Sequence, residues 1–241
     1  MPQHKICDRG NAVTFARPPA SQGAMYVKGL WRYPVKSLAG ETLSMAVLGA
    51  SGIPGDRSVR VRGPEGVRTS RRQYRLLGLR GTLDLNGRPR INGHAWNSPE
   101  ALALVKHAAG ADAWLEAWDG LDRFDILPLL VATDGAVAAF GRDIRRLRPN
   151  IVIAGVDGLA EREWPRARLH IGGAIVRLDS LRGRCHMTTV DPDTLEVDPS
   201  VLRDIVQRFD GKLALNADVE RPGIVRVGDP VTLVVNGSDV M

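Results

Sequence analysis

Ile224-Val225-Arg226-Val227-Gly228-Asp229-Pro230-Val231-Thr232-Leu233-Val234-Val235 reads as two short strands joined at a Gly-Asp turn. The β-branched runs on either side favour extended backbone, and Gly-Asp-Pro between them reverses the chain. A strand pair of this kind belongs to a barrel or a sandwich. Upstream, residues 25–31 and 42–48 read as strands, and 58–61 with 66–69 bracket a hairpin-like turn at Arg62-Gly63-Pro64-Glu65. Residues 151–154, 168–171, 174–178 and 187–190 read as further strands. Helices are expected over 99–109, with Ser98 as N-cap, from Thr133-Asp134 through about Arg146, and over 199–209 behind Asp198. The fold class is therefore mainly β with helices (α+β).

Composition narrows the function classes. With 241 residues, 44% apolar and 25% charged, the chain is an ordinary globular one with enough length for a sizeable core. Its two cysteines, Cys7 and Cys185, are too few for a disulfide framework or a cysteine-rich metal site, which fits a reducing cytoplasm. No run of eighteen apolar residues and no signal-type h-region occurs, so no membrane association is expected. The net charge is +6, carried by 28 Arg against 5 Lys. These arginines are scattered and lack the motifs of nucleic-acid readers, so no nucleic-acid partner is expected. Guanidinium forks suit phosphate, and a small phosphorylated ligand is the expected partner of that charge.

Cys185 stands in Arg182-Gly183-Arg184-Cys185-His186-Met187-Thr188-Thr189-Val190-Asp191-Pro192. Neighbouring positive charge favours the thiolate, the form that attacks or ligates, while a buried, inert thiol is the alternative reading. Three other motifs combine a turn with an anion contact: Tyr33-Pro34-Val35-Lys36-Ser37, Gly52-Ile53-Pro54-Gly55-Asp56-Arg57 followed by Thr69-Ser70-Arg71-Arg72, and Arg148-Pro149-Asn150-Ile151. His186 is expected on the strand face opposite Cys185, in a structural or surface role. Trp114 and Trp118, four apart, are expected in the core at helical spacing. Asp191 and Asp193 are expected to cap a turn, and Glu161 and Glu163 to lie in a solvated loop.

In this order and company the motifs resemble the MOSC family, over roughly residues 25–235. The resemblance implies a MOSC-type β-barrel with an N-terminal β-barrel subdomain: a tail over 1–24, an N-terminal MOSC-type barrel domain over 25–130 and a MOSC domain over 131–241. It implies a molybdenum cofactor, a pyranopterin whose metal is ligated by Cys185, which is thereby also the catalytic residue. Cofactor contacts carry over to Lys36, Ser37, Arg57, Thr69, Arg71, Arg148, Asn150 and Arg184, and to the helix start at Thr133 and Asp134. Pyridoxal phosphate binding is a further expectation attached to the family. The implied activity is reduction of small N-hydroxylated substrates, with electrons from a separate flavin or iron–sulfur protein because no cysteine follows Cys185. The alternative is a carrier that holds the cofactor, or a persulfide, on Cys185. One departure from the family pattern is Ala214, where relatives carry glycine, adding a methyl at a point of close backbone approach.

Overall fold

A computed structural model describes residues 24–235. The expected tail lies outside them apart from Ala24, as does Cys7. In chain order the strands are β1 (Tyr26–Arg32), β2 (Glu41–Leu43), β3 (Met45–Leu48), β4 (Val59–Gly63), β5 (Gly66–Arg68), β6 (Gly81–Leu83), β7 (Pro89–Ile91), β8 (His94–Ala95), β9 (Trp114–Ala117), β10 (Leu129–Thr133), β11 (Ile151–Ala154), β12 (Arg168–Ile171), β13 (Ala174–Gly183), β14 (Lys212–Arg221), β15 (Gly223–Arg226) and β16 (Val231–Val234). The helices are α1 (Pro99–Ala109), α2 (Asp134–Phe140) and α3 (Ser200–Phe209). None of the described helices is long and apolar enough to cross a membrane.

Eight strands form one sheet in the order β16-β12-β13-β14-β10-β11-β1-β2. Its centre, β10 and β11, is buried at every position and pairs in parallel through the crossover that α2 supplies. The sheet curls until its ends approach: Val27 N donates to Asp229 O and Val231 N to Met25 O, each at 2.9 Å. That contact is a short bridge at Tyr26 and Pro230, and among the described residues no ladder between the outer strands closes the barrel. Leu30, Leu48, Ile151, Ile153, Leu169 and Leu215 fill the inside. Because β1 and β2 join this sheet, the N-terminal segment packs into the same core as the C-terminal half. A second core, around Val35, Val59, Leu76, Ile91 and Val105, lies beneath β4, β9 and α1.

Four local expectations give way. The strand over 42–48 breaks at Ser44, whose carbonyl accepts from Val227 N at 2.9 Å, so β2 pairs with β1 and β3 with β15. The helix behind Thr133 stops at Phe140, because Gly141 adopts φ 66° as a left-handed cap, and residues 144–146 form a separate 3-10 turn. The expected strand over 187–190 is a 3-10 turn, His186–Thr189, in which the Thr188 and Thr189 hydroxyls donate back to the Cys185 and His186 carbonyls. Trp114 and Trp118 are not helical core residues. Trp114 lies exposed on β9 and Trp118 just beyond it, each facing an arginine, Arg62 and Arg60.

Candidate functional site

The Tyr33-Pro34-Val35-Lys36-Ser37 turn leaves β1, and the Gly-Asp-Arg turn packs against it. The buried Asp56 carboxylate accepts from Tyr33 N at 2.6 Å, from Asn150 Nδ2 at 3.4 Å, and from Arg57. Asn150 also accepts from Leu130 N at 3.1 Å and donates to Trp31 O at 3.3 Å. Its amide is therefore engaged in tying β1, β10 and the Arg-Pro-Asn turn together. Ser37, Arg57 and Arg148 have φ of 75°, 53° and 57°, left-handed backbone that non-glycine residues rarely adopt.

These turns enclose a cavity of about 330 Å³ between the two halves of the molecule. Lys36, Ser37, Arg57, Thr69 and Arg71 line it from the N-terminal side. Arg148, Asn150, Arg184 and Cys185 line it from the other. Nine of the expected site residues thus converge. Thr133 and Asp134 do not. The Thr133 hydroxyl accepts from Ala136 N and donates to Glu161, while the Asp134 carboxylate accepts from Gly135, Gly155 and Val156 N. Asp134 fills the helix start with its own carboxylate, so those amides have no place for a ligand anion. Glu161, expected in a solvated loop, is 1% exposed for the same reason: it receives the Thr133 hydroxyl.

Three further charged residues line the cavity. Arg182 was expected only as a charge near Cys185, and nothing in the local sequence of Arg146 or Asp125 marks either as a site residue. Asp125 Oδ1 accepts from Lys36 Nζ at 3.1 Å, and Oδ2 accepts from Arg71 and Arg182 at 3.1 and 2.9 Å. Burial alone would raise its carboxyl, but Lys36, Arg71 and Arg182 prevail and hold it at about 2. Arg146 pairs with Asp191 at 2.8 Å, and Asp191 also accepts from Asp193 and Thr194 N, as a turn cap does. His186 is exposed and donates to Arg71 O, binding the Cys185 turn to the N-terminal half.

The charge balance calls for an anion. Arg148 has no hydrogen bond or ion pair among the described residues; its guanidinium lies over Tyr33. Arg184 donates to Leu147 O at 2.8 Å, but its Nε is buried without a partner. Burial lowers Arg148 and Arg182, and with Arg182 nearby it presses Arg184 down to about 10. Arg182 has Asp125 as its counter-charge, but buried cations without one are costly, and an anionic ligand would relieve Arg148 and Arg184. A phosphate-bearing cofactor with a soft metal therefore fits this donor set: guanidinium groups for the anion, the Cys185 thiol for the metal.

The MOSC N-terminal beta barrel domain model matches residues 24–136, and the MOSC domain model matches residues 133–232. The chain belongs to the MOSC family. Curated relatives of this MOSC chain include mitochondrial amidoxime reducing component 2 of Macaca fascicularis, 32% identical over 130 residues. That match covers 46% of the chain and 38% of the relative. Mitochondrial amidoxime-reducing component 1 of Homo sapiens is 31% identical over 134 residues, again covering 46% of the chain and 38% of the relative. Each match thus spans well under half of the relative's length. Among solved structures, the YUAD protein from Bacillus subtilis superposes with a TM-score of 0.49 at 15% identity, over 88% of this chain and 96% of that one. The departure at Ala214 has a backbone counterpart: it is buried with φ 68°, the conformation that favours glycine.

Proposed function

We propose that this chain is a molybdenum-cofactor-dependent reductase of N-hydroxylated compounds. The observation that carries the reading is one cavity in which the Cys185 thiol meets the unpaired Arg148 and the orphaned Nε of Arg184. The relatives' name, amidoxime-reducing component, supports the reaction class. In this reading Lys36, Ser37, Arg57, Thr69, Arg71, Arg148 and Arg184 hold the anionic cofactor, Asn150 frames its wall, and Cys185 ligates its metal. When bound, the cofactor supplies a centre that takes up one oxygen and exchanges two electrons.

The chain's own residues orient and shield. Cys185 leads into the 3-10 turn from extended backbone, and the Thr188 hydroxyl donates to its carbonyl at 2.9 Å, which holds the backbone that carries the thiol. Leu127, Leu129, Leu130 and Met187 give the cavity an apolar side that excludes water from the reacting group. Net reduction of R–NHOH to R–NH2 and water consumes two electrons and two protons. Asp125 is ionised at neutral pH and is not the proton donor. The electrons come from a separate flavin or iron–sulfur protein, and a reducing compartment such as the cytoplasm suits a chain that works through a free thiol. Pyridoxal phosphate has no part in this reading, which assigns the cavity lysine, Lys36, to the anionic end of the molybdenum cofactor.

Metal analysis of protein purified from a molybdenum-replete host tests the reading. Near-stoichiometric molybdenum is expected, and its loss in Cys185→Ser with the fold retained. Benzamidoxime reduction with a reduced viologen as electron donor then tests the reaction. Loaded protein that reduces no N-hydroxy compound overturns the reductase reading in favour of a carrier of the cofactor, and a cyanide-labile sulfur on metal-free protein favours a persulfide carrier.

A further inference from the structure

Asp125 is the one carboxylate among the described residues lining the cavity, and it sits where three cations converge. Lys36 and Arg71 reach it from the N-terminal half and Arg182 from β13. The segment that carries it, between β9 and β10, joins the two halves. Phe124, at 7% exposed, anchors that segment on one side, while Ile126 on the other is 56% exposed. Lys36 Nζ is held twice, by Asp125 and by Arg123 O at 2.7 Å.

Three donors within 3.1 Å of two oxygens form the environment that a phosphate group would need. A phosphate bonded to the same nitrogens would bring its oxygens to within a few ångströms of the carboxylate, where like charges repel strongly in a partly buried site. The carboxylate and the phosphate therefore exclude each other. We propose that Asp125 is an internal counter-anion that occupies the subsite of Lys36, Arg71 and Arg182 and is displaced by the phosphate group of the ligand.

This proposal rests on the reading that the cavity takes a phosphate-bearing ligand, but not on molybdenum or on reduction. It gives three converging cations a shared partner when no ligand is bound, and it makes binding an exchange of one anion for another. A ligand with a single weak negative charge gains little from that exchange, whereas a phosphate dianion gains charge and an additional acceptor. Asp125 thereby selects for phosphate over simple carboxylates.

Inorganic phosphate is the probe, titrated by calorimetry into the full-length wild type, Asp125→Asn and Asp125→Glu. Asp125→Asn should bind phosphate about tenfold or more tightly than wild type, the scale of removing one like charge from a partly buried site. Asp125→Glu, which restores the competitor, should return affinity toward wild type. In thermal melts, Asp125→Asn should start lower than wild type and gain more from phosphate. Equal or weaker phosphate binding by Asp125→Asn, or no binding by any of the three, overturns the proposal. Asp125→Ser takes the place of the asparagine variant if that variant does not fold. Tighter phosphate binding in protein that never acquires molybdenum retires the reductase reading and leaves this one standing, whereas molybdenum loading with unchanged phosphate affinity does the reverse.

Discussion

The Arg148 guanidinium lies 4.2 Å from the centroid of the Tyr33 ring, and that ring takes the place of a counter-ion. Arg57 approaches the same ring at 5.5 Å, so one aromatic residue touches two of the arginines that line the cavity. An aromatic face attracts a cation without neutralising it. Its hydroxyl donates to Pro149 O at 3.1 Å, fixing the ring against the Arg-Pro-Asn turn. Burial pushes the phenol up to about 12 against the opposing pull of Arg148 and Arg57, so the ring stays neutral and takes no charge from them.

Tyr33→Leu should therefore weaken phosphate binding about five- to tenfold, the scale of a cation–π contact worth about 1 kcal/mol. Tyr33→Phe should keep that affinity and lose about 1 kcal/mol of stability with the hydroxyl's hydrogen bond. Calorimetric titration and urea denaturation of both variants check the split; equal binding losses in the two would assign the role to the hydroxyl instead.

Asp134 holds Gly155 N at 3.0 Å and Val156 N at 3.1 Å in addition to its own helix start. Asp134→Ala should cost about 2 kcal/mol of stability by leaving those amides unpaired, and should leave phosphate affinity unchanged. A selective loss of phosphate or molybdenum binding, with stability intact, would return Asp134 to the cofactor site.

Gly135, next to it, has no room for a side chain. A Cβ there would stand 2.3 Å from Val156 O and 2.4 Å from Gly158 O, both backbone atoms. Gly135→Ala should lower stability by about 2–3 kcal/mol, readable as a shifted denaturation midpoint with an unchanged slope.

Glu161 is buried with a hydroxyl rather than a cation as its hydrogen-bond partner, and burial raises its carboxyl above the ordinary value. A raised folded value means that the folded state favours the protonated acid. The penalty is absent below the unfolded value of about 4.3, grows as pH rises through it, and is complete above the folded value. Glu161→Gln, which keeps an acceptor for Thr133, should raise Tm at pH 7 and match wild type near pH 4. A stabilisation that persists undiminished to about pH 4 would show that packing, not ionisation, is responsible.

Elements with strong local signals were legible. Ser98 followed by Pro99 marks the start of α1, and the Ser98 hydroxyl accepts from Ala101 N as that pattern requires. Gly228-Asp229-Pro230 does separate β15 from β16, yet the two strands go to different partners, β3 and β12, which a turn signal does not convey. The 3-10 turn after Cys185 was misread as a strand because Thr188, Thr189 and Val190 have extended preference, and only their hydroxyl contacts to nearby carbonyls reverse it.

Amino-acid order alone determined the motif residues of the site: Lys36, Arg57, Arg148 and Cys185 each sit in a short turn whose chemistry is local. Tertiary structure alone decided their company. Lys36 meets Asp125 across 89 residues and Arg182 meets it across 57, and no local pattern encodes such pairs. The reason is physical: a turn is specified by the backbone preferences of four or five neighbours, whereas the balance of a buried charge depends on which distant carboxylate the fold brings within about 3 Å of it.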